Sequence, residues 1–379
     1  MKIGILTYHK SINYGSVLQA YALSSYLQKN NFDVEVIDYE PAKYKDLYSI
    51  FDFSAFPRGI KRNISALQII DVLIRQRVGF SAFRKKYLKL SQRSYNDKSN
   101  FEVFNQHYDA VVTGSDQVWN VRAYDCDEVF FLPIEHKKKK LAYAVSINDT
   151  DFSEERCNKH LRDSILEFDY ISVREKSGAD KLSAFLNSQV NVDVALDPTL
   201  LLRKDVFDRI SSEKLIKGKY IFLYCVNYKE STLQAAIDIS KKYNLPIYTL
   251  PMLRDVKLLK KLESYGIRVL RKKVSPEDFV SLFKYAEMTI SNSFHGTAFS
   301  LIFEKQFVSI NDSETDGRLK NDERIYNILF SLGLLGRYIQ SDAAIDYDMF
   351  GQINYEKVSQ TRILLATKST EKFLEILRG

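Results

Sequence analysis

The chain has 379 residues, more than a single hydrophobic core usually organises, so two domains are expected. Apolar residues make up 45% and charged residues 27%, a globular composition with material for two buried cores. The net charge is +7, yet no nucleic-acid-binding motif accompanies it, so nucleic acid is excluded as an expected partner.

Residues 3–8 of the opening MKIGILTYHKS read as a strand. The stretch lacks the long apolar core and cleavage site of a signal peptide. No window is apolar enough to span a bilayer. The three cysteines, Cys126, Cys157 and Cys225, lack metal-ligand spacing and read as buried thiols of a reducing compartment. A cytoplasmic protein is the expectation.

After the first strand come His9, Lys10, Ser11, Ile12, Asn13, Tyr14, Gly15 and Ser16, then a helix over 16–29. A glycine at a strand-to-helix turn lets backbone N–H groups approach a ligand, and the helix N-terminus favours an anion. GxGxxG spacing is absent, so the loop is either a ligand contact or simply a tight turn. A strand follows at 34–38. The segment 58–93 then carries ten basic residues against the single acid Asp71, a local charge of +9. Ile60, Ile64, Leu67, Ile70, Leu73, Ile74 and Val78 recur there at helical spacing, predicting a helix over 63–78. Such a basic amphipathic helix either rests on an anionic membrane surface or docks with a solvated basic face.

Strands are predicted at 110–113, 141–145, 170–173 and 192–195, with helices at 154–168 and 175–186. Alternation of this kind predicts βαβ units and a parallel sheet. The run 137–140 reads as a solvated turn. The strand 110–113 leads into Gly114, Ser115, Asp116, Gln117, Val118, Trp119 and Asn120. A carboxylate beside the only tryptophan suits a sugar; the alternative, Asp116 capping a turn and Trp119 filling core, would not also need Gln117. Arg174 ends the strand 170–173, placing a cation at another carboxyl edge.

The charged stretch 200–218 has no strand pattern and reads as the link between domains 1–205 and 206–349. Further strands are predicted at 220–226, 246–250, 268–270, 288–291 and 307–310. Helices are predicted at 232–242, from Pro276 and from about His295. Ser275 as N-cap, Pro276 at N1 and two acids in the first turn mark one helix start. Asn292, Ser293, Phe294, His295, Gly296 and Thr297 form the sharpest loop: a histidine, placed to transfer protons, beside an anion-binding backbone. The loop 311–323 and its end carry Arg318 and Arg324, whose planar forks suit phosphate and carboxylate. A final helix over 355–377, in the tail 350–379, is expected to pack back on the first domain.

TYHKSINYGSVLQAYAL, VVTGSDQVWN, ISVRE, LDPTLL and SNSFHGTAFSLIFEKQFV, in this order, resemble the polysaccharide pyruvyl transferase family. The resemblance implies a GT-B-like α/β fold of two Rossmann-type domains facing across a cleft. It also implies transfer of pyruvate from phosphoenolpyruvate to two sugar hydroxyls, making a cyclic ketal on a capsule or exopolysaccharide glycan or its lipid-linked precursor. Phosphoenolpyruvate is then a co-substrate, and no cofactor or metal is called for. His295 and Asp116 are the expected catalytic residues. Arg174, Asn292, Ser293, Gly296, Arg318 and Arg324 are expected to bind the donor. Asn13, Tyr14, Gly15, Ser115, Gln117 and Trp119 are expected to bind the acceptor. Many members carry arginine where this chain has Ser293; if that arginine helps hold the donor, either Arg174, Arg318 or Arg324 supplies the charge here or the donor differs. A glycosyltransferase using a nucleotide sugar and a non-catalytic glycan-binding module are the other readings.

Overall fold

A computed structural model describes residues 1–51, 58–96, 107–132, 138–148, 150, 152–153, 157–251, 255–312, 314–315, 318–319, 321–343 and 351–379. For residues 42, 45–46, 58–62, 314–315 and 318–319 of these it describes the backbone alone. By contact density the chain divides into two units. The first comprises Met1–Ser49, Arg84–Leu202 and Ile363–Gly379. The second comprises Ile50–Phe83 and Arg203–Arg362, so residues 50–83 group with the second unit.

Seven strands build the first unit: β1 (Lys2–Leu6), β2 (Asp33–Tyr39), β3 (Leu90–Tyr95), β4 (Ala110–Thr113), β5 (Lys139–Val145), β6 (Tyr170–Val173) and β7 (Val192–Val194). They form one parallel sheet in the order β3-β2-β1-β4-β5-β6-β7. β4 and β6 are buried throughout, which is why they read as unbroken apolar runs. The chain winds outward from β1 to β3 and returns at β4, so the strand order reverses between β1 and β4. One core, with Leu6, Val111, Trp119, Phe130 and Ile165, covers one face of the sheet. The other joins Ile3, Ile5, Leu23 and Leu27 to Phe373, Leu374 and Leu377 of the last helix, Tyr355–Arg378.

The second unit repeats the plan with β8 (Ile221–Tyr224), β9 (Ile247–Thr249), β10 (Arg268–Val269), β11 (Met288–Ser291), β12 (Gln306–Asn311), the hairpin β13 (Glu314–Thr315) and β14 (Arg318–Leu319), and β15 (Tyr338–Gln340). Its main sheet runs β10-β9-β8-β11-β12-β15, all parallel, and reverses between β8 and β11. The helix Pro276–Tyr285 starts on a capping box, the Ser275 hydroxyl and Asp278 carboxylate each accepting the other's backbone N–H. Phe279 and Phe283 of that helix pack edge-on against Phe222.

Several elements differ from the sequence pattern. β3 was not foreseen: LSQRSY pairs through its backbone at the sheet edge and buries little but Tyr95. The helix expected at 63–78 is two helices, Arg58–Gln68 and Ile70–Tyr87. Helices Val256–Ser264 and Glu323–Ser331 are additional, and the expected link holds the short helix Lys204–Asp208 with Phe207 buried. The helix expected over 154–168 runs Lys159–Leu166, and residues 154–156 lie outside the described residues, as do His136 and Lys137.

Phe373 is fully buried, with its ring 4.6 Å from that of Tyr143 and 5.7 Å from that of Tyr170. Phe373→Ala should therefore lower the stability of the first unit by about 3–5 kcal/mol. Urea unfolding would show an earlier transition; an unmoved midpoint would mean the last helix is not part of that core.

Candidate functional site

In the first unit β1 and β4 end in register, Leu6 opposite Thr113, so the loops that follow them meet. Gln19 joins them, donating to Thr7 Oγ1 at 2.8 Å and accepting the Ser115 N–H at 3.2 Å. The Ser16 hydroxyl donates to Asp116 Oδ2 at 2.5 Å, and the other oxygen accepts the Gln117 N–H at 2.9 Å. Backbone here is left-handed at Gly114 (φ 110°), Asp116 (φ 81°) and Ala144 (φ 47°). A Cβ on Gly114 would sit 2.5 Å from the Tyr143 carbonyl oxygen, so glycine is required. Left-handed backbone in two non-glycine residues costs about 1–3 kcal/mol each and tends to gather at functional sites.

Arg174, just past β6, is buried in this network. Its Nη2 lies 2.5 Å from Asp197 Oδ2 and donates to Ser115 Oγ at 2.7 Å, while Nε donates to Ser115 Oγ at 2.9 Å and to the Ala144 carbonyl at 3.1 Å. Nη1 stands 3.8 Å from Asp116 Oδ1. Glu175 accepts the Ser146 hydroxyl. Two buried carboxylates, Asp116 and Asp197, thus flank one guanidinium. Asp197 belongs to the quoted LDPTLL stretch, the one signal that could have found it; it also accepts the Thr199 N–H and hydroxyl, at 2.8 and 2.6 Å.

The remaining acceptor candidates scatter. Asn13 is exposed and caps the helix Tyr14–Lys29, accepting the Ser16 N–H at 3.2 Å. Tyr14 and Gly15 are buried, and Gln117 is half-buried, holding Asn120 at 3.2 Å. Trp119 is core, 1% exposed: its Nε1 donates to the Phe130 carbonyl at 3.0 Å and its ring stacks on Phe131 at 5.2 Å. It presents no face to a sugar. Sequence reasoning also passed over a cluster beside β1: His9, fully buried, faces the Thr7 carbonyl and Asp38 Oδ1, each at 3.1 Å. Lys10 reaches Asp38 at 3.0 Å and Glu40 at 3.2 Å.

In the second unit β8 and β11 end in register, Tyr224 opposite Ser291. Asn292, buried, stitches three loops together: Oδ1 accepts the Val226 N–H at 2.8 Å, and Nδ2 donates to the Asn227 carbonyl at 2.9 Å and to Asp312 Oδ2 at 2.7 Å. Thr232 supports Asp312 at 2.9 Å. The helix Phe294–Ile302 starts at Ser293, whose side chain makes no capping hydrogen bond. His295 lies in its first turn, 9% exposed, its ring 5.3 Å from that of Phe294. Gly296 permits this start, because a Cβ there would fall 1.9 Å from Ser291 Oγ. The Arg324 guanidinium lies 5.9 Å from the centre of the Phe294 ring and grips Asp322 with two nitrogens at 3.0 and 2.7 Å. Burial pushes the Asp322 carboxyl up, but the Arg324 charge and two backbone N–H groups overcome it and hold it below the usual range. The Arg318 side chain lies outside the described residues. Burial raises the Cys225 thiol beside this site well above its usual value, which makes it a poor nucleophile.

The structure thus assembles Ser115, Asp116 and Arg174 in one unit, and Asn292, Ser293, His295, Gly296 and Arg324 in the other. Two parallel-sheet α/β units of this kind define the GT-B fold class. The chain is similar in structure to the UDP-GlcNAc 2-epimerase of Neisseria meningitidis, at 11% identity, TM-score 0.54 and 100% of both chains covered. It is also similar to an alpha-glucosyltransferase crystallised with UDP and a 13-mer DNA, at 10% identity, TM-score 0.53 and 100% of both chains covered. A sequence comparison with curated proteins finds no match. The chain belongs to the polysaccharide pyruvyl transferase family, whose pattern it matches over residues 13–314.

Burial pushes the Asp38 carboxyl up, but hydrogen bonds from His9, Ser94 and Lys10 more than offset this and hold it well below its ordinary value. A depressed carboxylate contributes stability above its unfolded pKa, near about 3.9, that is lost as pH falls through the folded value. Asp38→Asn should therefore unfold at lower urea than the parent at pH 7, and the gap should shrink as the pH drops below about 4. A gap of constant size would show that ionised Asp38 is not what matters.

Proposed function

We propose that the protein transfers pyruvate from phosphoenolpyruvate to two hydroxyls of one sugar, forming a cyclic ketal on a bacterial surface polysaccharide or its lipid-linked precursor. The observation that carries this reading is the chemical contrast between the two strand-end sets. Asp116 and Asp197 around a single Arg174 favour hydroxyl hydrogens and disfavour a multiply charged anion. His295, the start of the helix Phe294–Ile302 and Arg324 suit phosphate and carboxylate. We accordingly assign the acceptor to the first unit and the donor to the second. Arg174, engaged with Ser115 and Asp197, positions Asp116 rather than gripping the donor.

In the proposed reaction a proton adds to C3 of phosphoenolpyruvate, leaving an oxocarbenium-like centre at C2. One sugar hydroxyl attacks C2 and gives up its proton, the C2–O bond to phosphate breaks, and inorganic phosphate departs. The second hydroxyl then closes on C2 and loses its proton. Asp116 accepts hydroxyl hydrogen. His295 delivers the proton or stabilises the departing phosphate.

Phosphate release from phosphoenolpyruvate should depend on a galactose-, mannose- or N-acetylhexosamine-based acceptor, with a product heavier by a pyruvate ketal in mass spectrometry. His295→Ala should lower kcat/KM by about 10²–10⁴. Stabilisation by a nucleoside diphosphate but not by phosphoenolpyruvate, with no ketal formed, would replace this reading by glycosyl transfer.

A further inference from the structure

We propose that the outward face of residues 64–86 docks on an anionic lipid bilayer. The sequence pattern suggested one apolar face over this stretch; the structure separates two. The inner face packs into the second unit through Ala66, Ile69, Val72, Leu73 and Leu259, with Phe80 and Phe83 fully buried. Gln76 donates to the Pro251 carbonyl at 3.1 Å, and the backbone comes so close that a Cβ on Gly79 would meet Ser275 Cβ at 2.8 Å. The helix is thereby held without help from its outer side.

That outer side is nevertheless apolar. Ile64 is 53% exposed, Leu67 57%, Ile74 46% and Val78 62%. They make up four of the twelve exposed large apolar side chains among the described residues, and they fall in one short stretch. At about 100° per residue, positions 74, 75, 78, 82, 85 and 86 of the helix Ile70–Tyr87 share roughly a third of the circumference, and Ile64 and Leu67 lie on the helix before it. Burying no core, these side chains leave apolar surface exposed on both helices.

Charge selects the occupant. Arg75, Lys85 and Lys86 are exposed on this arc, and Asp71 is the only acid in the segment. Arg77 is half-buried beside it, and burial lowers its pKa. Apolar side chains flanked by cations complement the acyl–headgroup boundary of an anionic leaflet, where each basic residue adds attraction. Among the described residues no helix is long and apolar enough to cross a membrane, so the contact lies along the surface. The surface is independent of the donor and acceptor assigned above, since none of its residues belongs to either set.

The test is flotation of the full chain with vesicles of phosphatidylcholine alone or mixed equally with phosphatidylglycerol, alongside sedimentation of the free protein. The parent should float only with the anionic vesicles, and less so at high salt. Ile74→Asp with Val78→Asp, and separately Arg75→Glu with Lys85→Glu, should each weaken flotation more than about tenfold. Both should keep the parent's melting temperature and its phosphate release from phosphoenolpyruvate with a soluble acceptor. Parent protein that ignores both vesicles, or variants that float like the parent, would overturn the proposal. So would a parent dimer that Ile74→Asp with Val78→Asp converts to monomer, since a second copy would then own that surface.

Discussion

The first unit's site depends on one buried cation. Arg174, its side chain 2% exposed, has given up water and is repaid by Asp197, Ser115 and the Ala144 carbonyl. Leaving a buried charge without its partner costs about 3–5 kcal/mol, so the loops after β4, β5 and β6 and the turn at Asp197 are tied to one arrangement. Much of the local geometry follows from that constraint. Ser115 Oγ accepts from Arg174, and the next residue, Asp116, is left-handed with its carboxylate toward Ser16. Ala144 takes the same unusual backbone while its carbonyl accepts from both Ser115 and Arg174.

The second unit solves the same problem with an amide at its centre, one of whose partners is the buried Asp312. The amide of Asn292 supplies one acceptor and two donors, and bridges the ends of β8, β11 and β12. An amide pays a far smaller desolvation cost than a guanidinium, so this junction needs fewer compensating partners. The contrast bears on function. On the proposed reading, a site organised by a neutral amide leaves an adjacent helix terminus and histidine to meet an anion, whereas one organised by two carboxylates around a cation meets hydroxyls.

What was legible in the sequence was whatever pays its energetic cost locally. β4, β6 and β11 are apolar runs buried on both sides, and their bounds were read without error. The start at Pro276 was equally plain, because Ser275 and Asp278 satisfy each other within one turn. β3 was hidden because an edge strand needs only its backbone, and its side chains stay polar. Trp119 misled because a tryptophan near an aspartate suits either a sugar or a core, and only Phe131 and Phe168 decide between them. The partners of Arg174 were illegible for the same reason: Ser115 and Asp197 lie 59 and 23 positions away, and nothing short of the sheet order brings them together.

The candidate donor site shows how far backbone constraint alone can place a reactive group. Ser291 spends its hydroxyl on the Tyr224 carbonyl at 2.5 Å and accepts the Ser293 N–H at 3.0 Å. That leaves Ser291 Oγ where any side chain at position 296 would collide with it, so only glycine allows the helix to begin this close to the strand. Thr297 then anchors the first turn, its N–H donating to the Ser293 carbonyl at 3.0 Å and its hydroxyl lying 2.7 Å from that of Ser309 on β12. The backbone of His295 is carried between these two fixed points. On the proposed reading, a backbone so fixed leaves less to order around His295 when a substrate arrives.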